Sequence, residues 1–312
     1  MQNLAIKQTV VDFAAYAIVR VVVATVQVLP LDMGQSICRT LATVLTRWVS
    51  IRSRTTDQNF AAIFPDASPA QLDRLRTEMW ESLMLTVCEI AWASRRLHRC
   101  NWHYHVRFAG NRAMLANLLS DRPSVVVTGH YGNFEIGGYV TGLMGFDTLA
   151  IARRLDNRFL HDWVERFRGA KGQFMVDKEG CSARVEQHLA GGGTLSLLAD
   201  QHAGEKGCWT LFMGVPASCH KALALFSLSA DAPMFVALTR RVGRRPMRFV
   251  VDHGGMVDPS DASDPNVGGV RPLTQWYNRQ LAAGVAKDVT QYWWLHRRWR
   301  TPPAKVAKRL AA

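Results

Sequence analysis

Ser124-Val125-Val126-Val127-Thr128-Gly129-His130-Tyr131-Gly132-Asn133-Phe134-Glu135 is the stretch on which the fold turns. Three consecutive β-branched valines between Ser124 and Thr128 predict a short strand covered on both faces. Gly129 breaks it. From about Asn133, Phe134, Glu135 and Ile136 are followed by Tyr139, Val140 and Leu143 at spacings of three and four, which predicts a helix lying back on the sheet. His130 therefore falls in the strand-to-helix turn, a place where α/β enzymes carry chemistry.

Two residues five apart in one regular helix point about 140° away from each other, so His130 and Glu135 cannot share a face if both are helical. The histidine is expected on the loop. Glu135, in the first helical turn, is expected to reach back to one imidazole nitrogen and fix the tautomer. The other nitrogen is then free to accept a proton, which makes a general base with an orienting carboxylate. The helix N-terminus opposes protonation of the ring and Glu135 favours it.

Working outward, candidate strands lie at 124–128, 147–152, 194–199, 234–239 and 247–252, with helices between most of them. That order predicts an α/β fold with a mostly parallel central sheet flanked by helices, beginning near Val106. Ser68-Pro69, followed by Gln71, predicts a helix start, and Leu75, Met79, Leu83, Val87 and Ile90 continue it at helical spacing. Gly191-Gly192-Gly193 reads as a helix-ending turn and matches no dinucleotide or phosphate-loop pattern, so no cofactor is expected. Upstream, Val10 to Leu31 is apolar but interrupted by Asp12, Arg20 and Gln27, and it is expected to form a membrane-embedded or interfacial helix ending at Pro30, with a buried helix of a soluble protein as the rival reading. A second helix, Met33 to Ser50, leads to Arg47, Arg52 and Arg54. The chain thus divides into an N-terminal helical, membrane-associated segment, 1–50, and an α/β domain, 51–312.

Thirty-eight Lys and Arg against 25 Asp and Glu give a net charge of +13, which implies an anionic partner. No helix-turn-helix, RRM or zinc-finger pattern appears and the cations are dispersed, so nucleic acid is not expected. The six cysteines, Cys38, Cys88, Cys100, Cys181, Cys208 and Cys219, form no CxxC pair, which argues against a structural zinc site or a disulfide framework and fits a reducing cytoplasm. His98, His103 and His105 lie near Cys100 among Arg95, Arg96, Arg99 and Arg107, and read as a basic surface patch rather than a metal site.

His130-Tyr131-Gly132-Asn133-Phe134-Glu135 fits the HxxxxD/E acyltransferase motif. Further blocks agree with one branch of that superfamily: Arg52 through Asn59 with Phe64-Pro65, Glu89, Arg153 to Asn157, Asp200-Gln201, Phe212-Met213-Gly214, and Tyr292 through Trp299. In order and spacing they span nearly the whole chain, which resembles the bacterial lipid A biosynthesis lauroyl/myristoyl acyltransferases. The departures are Ala152-Arg153-Arg154, where Tyr-Arg-Pro is more usual, and Cys208-Trp209-Thr210-Leu211 in place of a Val- and Phe-rich segment.

The resemblance implies a glycerolipid acyltransferase-like fold and transfer of a fatty acyl group from a thioester to a hydroxyl, or an acyl-linked hydroxyl, of a membrane glycolipid such as a lipid A precursor. The donor would be acyl carrier protein or acyl-CoA, the acceptor an anionic glycolipid or phospholipid, and the place the cytoplasmic face of the bacterial inner membrane. It assigns catalysis to His130 and Glu135, and substrate binding to Arg153, Asn157, Asp200, Gln201 and Asn133. Arg153 suits a phosphate because its donors form a fixed fork. Asp200 and Gln201 follow the apolar run 195–199 and either position the acceptor or cap the loop from His202 to Gly207. Trp293, Trp294 and Trp299 mix with cations as interfacial anchors do, or as core residues do. No serine or cysteine nucleophile is required, and Cys208 is the residue that tests the contrary view. Other acceptors (a phosphatidylinositol mannoside or an aminolipid), a thioesterase and a non-catalytic membrane-binding protein are the rival readings.

Overall fold

The computed structural model of the protein describes residues 2–49, 51–110 and 112–311. Four helices come first: α1 (Gln2–Val28), α2 (Leu31–Trp48), α3 (Ser53–Ile63) and α4 (Pro69–Arg96). Then follow β1 (Val106–Ala109), α5 (Arg112–Leu118), β2 (Ser124–Thr128), α6 (Phe134–Leu143), β3 (Thr148–Ala152), α7 (Arg158–Gly169), β4 (Gln173–Asp177), α8 (Ser182–Ala190) and β5 (Thr194–Leu198). The chain closes with β6 (Cys208–Phe212), β7 (Val215–Cys219), α9 (Ala222–Ser229), β8 (Met234–Arg241), β9 (Phe249–Val257), α10 (Val270–Ala286) and α11 (Ala304–Ala311).

Seven strands form one sheet in the order β1-β9-β8-β2-β5-β3-β4. β8, β2, β5, β3 and β4 run parallel, as the alternation of strands and helices predicts. β9 runs antiparallel to β8 because the connection between them is too short for a crossover. β1 is parallel to β9. Side chains alternate across β2: Val125 and Val127 are fully buried in the main core, with α9 and α10 beyond, whereas Val126 and Thr128 face α6. β6 and β7 make a separate hairpin whose two turn residues, Met213 and Gly214, both have positive φ (52° and 80°), the arrangement that suits tight two-residue hairpins. The family-like block Phe212-Met213-Gly214 is therefore a turn.

Pro30 ends the first helix by removing a backbone donor and disfavouring helix at the preceding residue, so α1 stops at Val28 and α2 begins at Leu31. α4 starts with the expected Ser68 capping box, in which Gln71 N–H donates to Ser68 Oγ and Ser68 N–H to Gln71 Oε1. Both N-terminal helices dock on α4: Trp92 Nε1 donates to Val26 O at 2.6 Å, and Gly34 sits so close to Trp92 that a Cβ there would lie 2.6 Å from the indole. The division into 1–50 and 51–312 thus falls between helices that share a packing surface; Met1, Ser50 and Ala312 lie outside the described residues.

Candidate active site

β2 and β5 are paired with Thr128 opposite Leu198, and Ala199 N–H donates back to Thr128 O. Two residues past each of those strand ends the backbone delivers His130 and Asp200 side by side. Asp200 accepts from both the ring and the backbone of His130: Nδ1 to Oδ1 at 2.7 Å and the amide N–H to Oδ2 at 2.7 Å. The carboxylate is 1% exposed and the imidazole 11%. Burial, the largest influence on Asp200, pushes its pKa up; the charge and hydrogen bonds of His130, with Arg298, outweigh it and hold the acid below its ordinary range. An ionised Asp200 only accepts, so Nδ1 carries a proton, and in the neutral tautomer this selects, Nε2 is the ring's acceptor.

That nitrogen faces Gln201, whose Nε2 donates to His130 Nε2 at 3.3 Å and to His296 Nε2 at 3.2 Å. One amide serves both only if both ring nitrogens are bare. Burial first, then the neighbouring His130, pushes His296 down to about 4, so it is neutral at pH 7. Phe134, Trp293 and His296 present their rings around His130, with centroids 5.0 to 5.3 Å away. The C-terminal segment is fastened there by α3: Asn59 Nδ2 donates to the carbonyls of Trp294 and His296, and Arg52 Nη1 to that of Leu295. Buried Arg298 donates to Gln201 O, Ser218 O, Cys219 Sγ and Asn278 Oδ1. Trp294 is fully buried and stacks on Trp299, so these indoles are core and Trp293 is a site wall rather than an interfacial anchor.

Glu135 does not hold the ring. It occupies the first turn of α6, as expected, but its carboxylate is gripped by Arg168 of α7, Nε donating to Oε2 at 3.0 Å and Nη2 to Oε1. The orienting role expected of Glu135 falls geometrically to Asp200, because the loop between His130 and Asn133 turns the ring toward β5 and away from the helix. The turn depends on Gly132: its φ is +57°, and a Cβ there would lie 1.9 Å from Thr239 O. Asn133, placed among the substrate-binding residues by resemblance, is fully buried; its Oδ1 accepts from Ile136 N–H to cap α6 and its Nδ2 donates to Glu89. Glu89 in turn receives both Nε and Nη2 of buried Arg241 at 2.7 Å and the backbone N–H of Met247. Arg153 is 81% exposed and bonded to Asp156. Asn157 caps α7 through Leu160 N–H and donates to Asp12 O, which ties α7 to α1. Of the seven expected site residues, three therefore meet: His130, Asp200 and Gln201. Sequence reasoning named His296 and Arg298 only as part of an aromatic cluster, and no local signal pointed to Arg168.

Beside His130, between the sheet and α6, lies an apolar cavity. Thr128 and Phe134 are at the histidine end, Ala150, Ser196 and Ala237 form its floor, and Met114 and Leu118 close the side toward α5. Small floor residues leave the space open.

The model of the bacterial lipid A biosynthesis acyltransferase family matches residues 4–301 of this chain. The chain belongs to that family. It is 25% identical over 256 residues to the lipid A biosynthesis palmitoleoyltransferase of Escherichia coli, covering 79% of this chain and 78% of the relative. It is 24% identical over 259 residues to a lipid A biosynthesis acyltransferase of Haemophilus influenzae, covering 79% and 76%. Among solved structures, the 1-acyl-sn-glycerophosphate acyltransferase of Thermotoga maritima aligns with a TM-score of 0.40 at 12% identity, over 84% of this chain and 97% of the other. The protein is an acyltransferase of the lipid A family, and its mostly parallel sheet carries the motif histidine at a strand end.

Proposed function

We propose that the protein transfers a fatty acyl group from an acyl thioester, carried by acyl carrier protein, to a hydroxyl of an anionic lipid A precursor at the cytoplasmic face of the inner membrane, with His130 as general base. The observation that carries this reading is the ring itself: Nδ1 tied to a buried carboxylate, Nε2 covered only by the Gln201 side-chain amide, and an apolar cavity beginning at the adjoining Phe134. The hydroxyl displaces the Gln201 amide and gives its proton to His130 Nε2 as its oxygen attacks the thioester carbonyl. Collapse of the tetrahedral intermediate breaks the C–S bond, and the imidazolium returns the proton to the leaving thiolate. The displaced Gln201 amide, beside the reacting carbon, is a donor for the developing oxyanion. Direct transfer needs no acyl-enzyme.

The cavity would take the acyl chain, and each methylene drawn from water contributes about 0.8 kcal/mol. The excess of cations suits an acidic carrier protein and a phosphorylated acceptor. The deciding experiment incubates purified protein in detergent with acyl carrier proteins of several chain lengths and a lipid A precursor, and weighs the product. A mass gain of one acyl group, lost in His130→Ala, supports the proposal; free fatty acid alone would mean a thioesterase, and activity on another lipid only would move the acceptor.

A further inference from the structure

Two apolar spaces in this protein meet at a single ion pair. The cavity between the sheet and α6 is one. The other is a groove between α1, α4 and α7, lined by Val19, Val23, Val87, Ile90 and Phe167. Glu135 and Arg168 line both. Their fork-to-carboxylate contact is two-point, the remaining guanidinium nitrogen Nη1 reaches Met175 Sδ at 2.9 Å, and the two side chains are 14% and 24% exposed. A paired charge with hydrocarbon on either side is a polar partition, and a methylene chain cannot pass it without separating two partly desolvated charges. On the groove side, α1 presents Val19, Val23 and Ala24 to such a chain, with Arg20 and Gln27 beside them.

We infer that the Glu135–Arg168 pair is a specificity-determining partition, confining the acyl chain to the inner cavity and setting the longest chain the enzyme accepts. This rests on the reading that the cavity takes the acyl chain. With the pair removed, inner cavity and groove become one apolar passage, and a longer chain continues along α1. The carboxylate of the HxxxxE motif then acts on chain length through Arg168, at a distance from the proton transfer at His130.

The test compares wild type, the double variant Glu135→Ala/Arg168→Ala, and the charge swap Glu135→Arg/Arg168→Glu. Dodecanoyl and octadecanoyl carrier protein compete in one reaction, and the ratio of the two products is read, which cancels any change in overall rate. In parallel, dodecanoic and octadecanoic acids displace a fluorescent fatty acid from the same proteins, which needs neither donor nor acceptor. Opening the partition is expected to raise the long-to-short ratio about tenfold or more in both measurements, the scale on which pockets discriminate methylenes, and the swap is expected to bring it back toward wild type. Unchanged ratios in the double variant overturn the inference, even if activity on both chains collapses. Should wild type transfer neither chain, the proposed function fails, and the displacement series alone decides whether the pair limits chain length.

Discussion

The hydrogen bond made by one imidazole nitrogen sets which nitrogen is left to accept a proton, and for the proposed base His130 that bond goes to Asp200. Asp200→Asn can present an amide N–H to Nδ1 and favour the wrong tautomer, so acyl transfer is expected to fall by about 10²- to 10⁴-fold with thermal stability nearly kept. Glu135→Gln is expected to cost far less on a short acyl chain. Initial rates of product lipid by mass spectrometry compare the two; an equal loss would mean that the motif carboxylate, not Asp200, holds the ring. His296 adds a pH dependence. Its folded pKa, about 4, lies below the ordinary histidine value of about 6.5, so the unfolded chain binds the extra proton first. The stability that His296 contributes at neutral pH is expected to drain as pH falls through about 6.5 and to level off below about 4. Urea unfolding of wild type and His296→Gln across that window should show the wild type losing more.

At the level of elements, the site is a consequence of three joints. The first is the turn between β2 and α6: Gly132→Ala forces a Cβ onto Thr239 O in a left-handed backbone conformation, an expected loss of about 2–4 kcal/mol in chemical denaturation. The second is Glu89 on α4, which gathers Arg241 of β8, Asn133 at the start of α6 and the Met247 amide. Glu89→Leu leaves a buried guanidinium without its counter-charge, and a loss of about 3–5 kcal/mol is expected in the same assay. The third is the register of β2 against β5. Much of this was legible: the valine run fixed the 124–128 strand, the 194–199 run ended on Asp200, and the capping box marked the start of α4. What was not legible is pairing. His130 and Asp200 are 70 residues apart, and their equal offset from Thr128 and Leu198 has meaning only once the two strands are known to be neighbours. Glu135, five residues away, looked nearer because sequence distance stood in for the turn that Gly132 makes. β4, Gln173–Asp177, escaped notice because it is an edge strand with mixed burial and no continuous apolar run.

The whole molecule has one side on which the usual arrangement of a soluble helix is reversed. In α2 the small residues Gly34, Cys38 and Ala42 face inward against α4, while Met33, Ile37, Leu41, Val44 and Trp48, spaced as one helical stripe, face outward and are 43–81% exposed. In α1 the segment Lys7–Val28 has a mean hydropathy of 1.8 and is long and apolar enough to cross a membrane. Val10, Val11, Phe13, Ile18, Val21 and Val22 stand exposed along it. Both helices dock on α4 and each carries an exposed apolar stripe, with Arg39 and Arg47 along α2 and Arg52 and Arg54 just beyond it, cations of the sign that suits anionic headgroups. We propose that both helices, and not the first alone, hold the enzyme to the bilayer. Ile37→Ser and Leu41→Ser together remove two half-exposed side chains that water sees in the free protein and lipid covers in the bound one. At about 1 kcal/mol each, roughly half the full burial value, they are expected to weaken partition onto anionic vesicles about 30-fold. The midpoint of thermal unfolding in detergent should stay put, since neither residue touches the core. Raising salt from about 0.1 M to 1 M should weaken both proteins further and by similar factors, because it screens the arginines and leaves the apolar stripe alone. If instead the double variant partitions like wild type while a protein lacking α1 does not bind at all, α2 lies off the bilayer and α1 alone is the anchor.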